Sequence, residues 1–195
     1  MPIFFYFIKL IDMNFIELVK KRRSVRKYLQ KPVERTEILK CVEAARFAPS
    51  AEHVQPWRYL IIDDPNVLKK VADSAFTGVY KFTKFASKAP VLVLILARLD
   101  ILANKIGKQI QGTQYYLIDI GISGEHFVLQ AAELGIGTCW IGWFNEKKLR
   151  QALNIPKKYK IVSLISMGYF DNNFELKEKH RKGLEEIHWF NEISS

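Results

Sequence analysis

The sequence predicts an α+β fold, a central sheet covered by helices, and three observations lead there. Helical and strand-like patterns are interspersed, a helical pair comes before the first strand-like run, and no Gly-x-Gly-x-x-Gly follows any such run. The last point removes the dinucleotide-binding βαβ unit. What remains is a sheet with helices packed on it. A length of 195 residues suits one domain spanning 1–195, and no repeat, low-complexity stretch or linker divides it.

In chain order, residues 1–12 are apolar but too short to span a bilayer, and they lack the basic opening and cleavage site of a secretion signal. They read either as an arm that packs on another surface or as an extension before a start at Met13. Phe15, Ile16, Leu18 and Val19 then form an amphipathic helix ending in a basic turn at 20–26. Ile38, Leu39, Val42, Ala45 and Ala48 recur near a 3.6 period and give a second helix over 34–48, stopped by Pro49. Residues 58–63 read as a strand closed by Asp64-Pro65, and Val67, Leu68 and Val71 as a helix after it.

The run 90–97 is almost wholly Val, Leu and Ile, too short for a typical helix and too apolar for an edge, so it is expected as a central strand buried on both faces. Residues 98–114 are polar and read as a loop or short helical insertion. The longest helical pattern runs from Tyr115 to Leu134 and is capped by Gly135. Gly121 and Gly124 inside it each cost about 1 kcal/mol relative to Ala, which predicts close contact with another helix backbone. A strand at 137–142, a helix from Asn145 to Leu153 with Asn145 as its cap, a strand over 160–170 and a polar tail at 171–195 complete the chain.

The composition, 49% hydrophobic and 26% charged, is that of an ordered globular domain. The net charge of +10 is concentrated near the start, where residues 1–31 carry eight Lys or Arg against Asp12 and Glu17. A phosphate ester would suit this patch, as would nucleic acid or an acidic membrane surface, and a solvated basic face with no ligand is an equal alternative on charge alone. No zinc-finger, RRM or helix-turn-helix pattern accompanies the charge, which speaks against nucleic acid. The two cysteines, Cys41 and Cys139, and four scattered histidines show no metal-ligand spacing. No metal, no membrane association and a reduced, cytoplasmic setting are expected.

Three segments carry candidate chemistry. Arg22-Arg23-Ser24-Val25-Arg26 gathers guanidinium forks and a hydroxyl suited to phosphate oxygens or the edge of a polar heterocycle. Ala48 to Trp57 places Ser50, Ala51, His53 and Gln55 between Pro49 and Pro56 in a rigid turn. Gly135 to Trp143 combines small residues with a strand, which either lets a flat ring approach the backbone or is a buried strand entering a tight turn.

In this order, the three segments resemble the nitroreductase family across most of the chain. Arg-Arg-Ser-Val-Arg, the Ala-Pro-Ser-x-x-x-x-Gln-Pro-Trp turn at 48–57, the helix from Asp119 to Gly135 and Gly-Ile-Gly-Thr-Cys-Trp-Ile-Gly carry the resemblance. Pro156, the strand ending Met167-Gly168-Tyr169 and Arg181-Lys182-Gly183-Leu184-Glu185-Glu186-Ile187 extend it. The resemblance implies a mixed, mostly antiparallel sheet and a homodimer holding two FMN molecules at its interface, with the tail 171–195 reaching across. It implies that Arg22, Arg23, Ser24 and Arg26 meet the cofactor from one chain, with Arg181 returning to the phosphate. Pro49, Ser50, Ala51, His53 and Gln55 would come from the partner, and Trp140, Ile141 and Gly142 would lie near the flavin N5. Two positions depart from the family pattern: His53 stands where Asn is usual, and Phe170-Asp171 follows the last strand where Pro is common.

The implied activity is hydride transfer from NAD(P)H, through FMN, to a small oxidised acceptor such as a nitroaromatic or quinone. The flavin carries the difficult step, so no catalytic side chain is nominated. The competing reading is an FMN-binding store or sensor without turnover.

Overall fold

A computed structural model describes residues 14–100, 113–171 and 180–193. The possible arm at 1–12 and most of the 98–114 segment lie outside the described residues. The elements in order are α1 (Phe15–Lys21), α2 (Arg35–Arg46), β1 (Trp57–Ile62), α3 (Pro65–Ala75), a 3₁₀ segment (Gly78–Lys88), β2 (Val91–Arg98), α4 (Tyr115–Glu133), β3 (Gly137–Ile141), α5 (Glu146–Ala152) and β4 (Tyr159–Gly168). The strands form one sheet in the order β1-β2-β4-β3, with every ladder antiparallel. The parallel component is a single isolated bridge, Ser24 to Thr138.

Strand β2 lies inside the sheet and all its residues but Arg98 are buried, as the unbroken apolar run predicts. Its side chains alternate between two cores. Val91, Val93, Ile95 and Ala97 face Ile38, Cys41 and Ala45 of α2 and Ile120, Phe127 and Ala131 of α4. Leu92, Leu94 and Leu96 face Val71 and Ala75 of α3, Ala86 of the 3₁₀ segment and Leu149 of α5. The sheet is therefore the middle layer of three, and α4 covers the face on which the candidate site is built. Burial pushes the Cys41 thiol up to about 12, which makes it core packing rather than a nucleophile.

Local signals set the element ends. Asp64 accepts hydrogen bonds from Asn66 N and Val67 N at the start of α3, with Pro65 in the first turn. Asn145 accepts from Lys148 N before α5. Gly135, at φ +73°, closes α4, with its own N–H donating to Ala132 O and that of Ile136 to Ala131 O. The chain then enters β3 at once.

The expected role of the helix glycines needs correction. A Cβ on Gly124 would collide with the indole of Trp140 and touch Ile95 Cδ1, so this glycine makes room for a side chain of β3, not for another helix backbone. No described atom lies within 4 Å of a Cβ placed on Gly121, which is exposed.

Candidate functional site

The basic segment is fixed at the start of β3. Val25 donates its N–H to Thr138 O at 2.8 Å, and Leu29 donates to Tyr169 O at 2.8 Å, so residues 24–29 cross the sheet end where β3 begins and β4 stops. Gly137 permits this approach, because a Cβ there would fall 2.7 Å from Val25 Cγ2 and from the Phe170 ring. Tyr28 secures the far side: its hydroxyl donates to Val25 O at 2.6 Å and shares a 2.7 Å hydrogen bond with Ser166 Oγ. The segment bounds a cavity of about 430 Å³ beside Ser24, Arg26 and Tyr28, and a smaller one of about 180 Å³ beside Arg22, Arg23 and Thr138.

Cationic groups line this strap. Arg22 caps α1, and its Nε lies 3.5 Å from Glu125 Oε1 of α4. Arg23 donates from Nη1 to Lys20 O, while its buried Nε has no partner among the described residues. Arg26 is exposed and its guanidinium carbon lies 5.6 Å from the centre of the Phe85 ring, within cation–π range. Burial holds the Glu125 carboxyl above the usual range, against the opposing effects of Arg22, Trp140 and His126.

At the other end of β3, Ile141 is buried while Gly142 is exposed, with no described atom within 4 Å of a Cβ placed there. Trp143 stands beside it, half exposed, with its Nε1 donating to Val79 O at 3.1 Å and its ring 5.3 Å from Tyr80. Thr83 Oγ1 donates to Trp143 O at 2.8 Å. The 3₁₀ segment thus touches both ends of the strap-and-strand arrangement, Phe85 under Arg26 and Tyr80 against Trp143. Reading the sequence missed this segment, because 3₁₀ geometry leaves no long hydrophobic period to detect.

The 48–57 turn docks elsewhere. Ala51 donates its N–H to Asp119 Oδ1 at 3.1 Å, near the start of α4, about 9 Å along the axis from Glu125. Burial raises the Asp119 carboxyl above its ordinary range, opposed by that backbone hydrogen bond. Ser50 Oγ accepts from Gln55 N at 3.0 Å, and Gln55 Nε2 lies 2.8 Å from His53 Nε2. Glu52, His53 and Gln55 all have left-handed backbones, with φ of 51°, 55° and 50°. Such residues cluster at ligand clamps. Pro49 and His53 are exposed, and Arg181 in the tail is exposed with Nη1 near His180 O.

The structure therefore brings Arg22, Arg23, Ser24 and Arg26 onto β3 with Trp140, Ile141 and Gly142, while holding Pro49, Ser50, Ala51, His53 and Gln55 as a separate group on α4. Asp119 and Glu125, which anchor the two groups, were absent from the sequence-based candidates. The available signal was an acid at each of these places in the stretch 117–129, whose only other polar side chains are Ser123 and His126.

The pattern of the Nitroreductase family matches residues 19–169. The chain belongs to the nitroreductase family. It is 30% identical over 158 residues to an Archaeoglobus fulgidus protein bearing an NADH dehydrogenase/NAD(P)H nitroreductase name, covering 79% of this chain and 84% of that one. An iodotyrosine deiodinase 1 of Sus scrofa is 28% identical over 198 residues, covering 90% of this chain and 68% of its own. Among solved structures, a nitroreductase family protein from Clostridium difficile 630 superposes with a TM-score of 0.77 at 30% identity, covering 93% of this chain and all of the other. An FMN-dependent nitroreductase from Clostridium difficile R20291 does so at 0.69 and 29% identity, covering 91% and 99%. The chain is thus an oxidoreductase of nitroreductase fold. Among the described residues, no helix is long and apolar enough to cross a membrane.

Proposed function

We propose that the protein is an FMN-dependent enzyme that moves hydride from NAD(P)H to a small oxidised organic acceptor, working as a cytoplasmic homodimer. The observation that carries this reading is the strap of Arg22, Arg23, Ser24 and Arg26 laid on a strand whose far end, Gly142, is bare. The donor set fits FMN: guanidinium groups, one with a buried Nε lacking a described partner, suit a phosphate and the polar edge of a ring. The uncovered backbone at Gly142 admits a flat ring.

In this reading Arg22, Arg23 and Ser24 hold the phosphate and ribityl end, Arg181 returns to the phosphate, and Arg26 meets the ring edge. Trp140, Ile141 and Gly142 support the ring. Pro49, Ser50, Ala51, His53 and Gln55 serve the site of the partner, which accounts for their separate anchorage on α4. Bound FMN would supply the hydride-accepting and hydride-donating chemistry. The residues of the chain bind, orient and exclude water, and no side chain is required as nucleophile.

Helix α1 supports the dimer. None of its residues is buried, and Phe15, Ile16 and Val19 are exposed at 65%, 55% and 42%. Among the described residues nothing buries this apolar face, and an amphipathic helix needs a surface to cover it.

The test is titration of the apoprotein with FMN and with riboflavin, followed by NAD(P)H oxidation with a nitroaromatic or quinone. Tighter binding of FMN and acceptor-dependent turnover are expected. Equal affinity for the two ligands would remove the phosphate assignment, and binding without NAD(P)H oxidation would leave a flavin store or sensor.

A second acceptor class follows from the deiodinase relative, which aligns with 90% of this chain. The half-exposed Trp143 and its neighbour Tyr80 suit an aromatic acceptor of either kind. Release of iodide from iodotyrosine under reducing conditions would assign the halogenated class, and reduction of nitroaromatics alone the other.

A further inference from the structure

Among the described residues, Arg22 differs from the other arginines of the strap in having a carboxylate partner on a helix. From this geometry we infer that Glu125 is a positioning residue: it orients the Arg22 guanidinium toward the anionic end of the ligand. The inference rests on the reading of Arg22 as an FMN-phosphate ligand.

Glu125 Oε1 approaches Nε of Arg22, at 3.5 Å, and this side-on contact leaves the two Nη groups of the planar fork for a phosphate. The Arg22 side chain is only 17% exposed, whereas Arg26 on the same strap is an exposed residue. Glu125 is itself held. The neighbouring Trp140 side chain lowers its carboxyl against the effect of burial, and the Trp140 indole sits in the notch left by Gly124, where a Cβ would collide with it.

Two effects of Glu125 on anion binding have opposite signs, and this makes the role measurable. A carboxylate near a phosphate site repels the ligand, so removing its charge alone would tighten binding. A carboxylate that aims a flexible arginine lowers the entropy lost when the ligand is gripped, so removing it would weaken binding.

Dissociation constants for FMN and riboflavin, measured on purified full-length protein, decide between them. For Glu125→Gln we expect FMN affinity to fall roughly ten-fold while riboflavin affinity stays within about two-fold of the parent. Glu125→Asp keeps the charge but shortens the reach, and the same selective loss is expected; it also carries the comparison if Glu125→Gln fails to fold, as circular dichroism would reveal. In an Arg22→Gln background, adding Glu125→Gln should change the FMN-to-riboflavin ratio no further, because the residue acts through Arg22. Unchanged or tighter FMN binding by Glu125→Gln overturns the inference, as does a loss that persists undiminished without Arg22 or that lowers riboflavin binding in parallel. A parent protein that binds the two ligands equally, or neither, overturns instead the phosphate reading on which the inference stands.

Discussion

Strand β2 and helix α1 are both short apolar stretches, and they end in opposite surroundings. Seven residues of β2 are buried within the chain, on two faces, whereas α1 buries none. The difference teaches that apolar content alone does not say where a segment packs. The β2 run is apolar at consecutive positions and can be satisfied only inside a covered sheet. The α1 pattern is one-sided and can be satisfied by any apolar surface, including that of another chain.

The most severe way to probe this contrast is Leu94→Ala in β2. Leu94 is fully buried, so the change is expected to cost about 3 kcal/mol in denaturant unfolding. A cost under about 1 kcal/mol would contradict its place in the core. Phe15→Ser with Ile16→Ser should instead leave the fold of each chain intact and shift the protein to monomers in sedimentation experiments, with loss of FMN. Monomers that keep full FMN affinity would remove the shared site.

The glycines of α4 sharpen the comparison within one helix. Gly124→Ala should destabilise by about 2 kcal/mol through overpacking against Trp140. Gly121→Ala meets no atom of the described residues and should gain up to about 1 kcal/mol from helix propensity. If Gly121→Ala breaks the dimer, the partner lies against that position.

Asp119→Asn gives a smaller effect with a defined sign. Burial raises the carboxyl of Asp119, so the folded state keeps its proton to higher pH than the unfolded state. Stability from this group is greatest below the unfolded value and falls as pH rises through the folded value. The amide keeps an acceptor for Ala51 N, so Asp119→Asn should match or exceed the parent at pH ~7 by up to about 1 kcal/mol, with the advantage shrinking toward pH ~4. A constant difference across that range would show that Asp119 does not titrate differently on folding.

The smallest expected effect belongs to His53. If its imidazole borders the flavin of the partner, exchanging it for the amide of His53→Asn should shift the flavin potential. Equal potentials for the parent and His53→Asn would leave His53 as a turn residue.

Much of the fold was legible where a single residue type has one physical outlet. Pro49 stops α2, Asp64-Pro65 opens α3, Asn145 caps α5, and Gly135 ends α4 in a left-handed conformation. The site was legible as three segments but not as a geometry. Nothing in the order of residues says that Gly137 exists to admit Val25, that Gly124 admits Trp140 rather than a helix, or that Glu125 meets Arg22. Those relations are contacts between elements far apart in sequence, and local pattern carries no record of them.

The strand order has a kinetic consequence. Each ladder joins strands separated by at least one helix or 3₁₀ segment: Trp57 meets Ala97, Val91 meets Met167, and Ile141 meets Leu164 across α5. The sheet contains no hairpin that could close early, so its nucleus must be assembled from distant pieces of chain, a topology that places folding toward the slow end of the range for domains of this kind. During that interval the β2 run is unpaired, and it is the stretch best suited to pair with copies of itself. Refolding yield should therefore fall steeply with protein concentration, limited by the same eight residues that hold the finished molecule together.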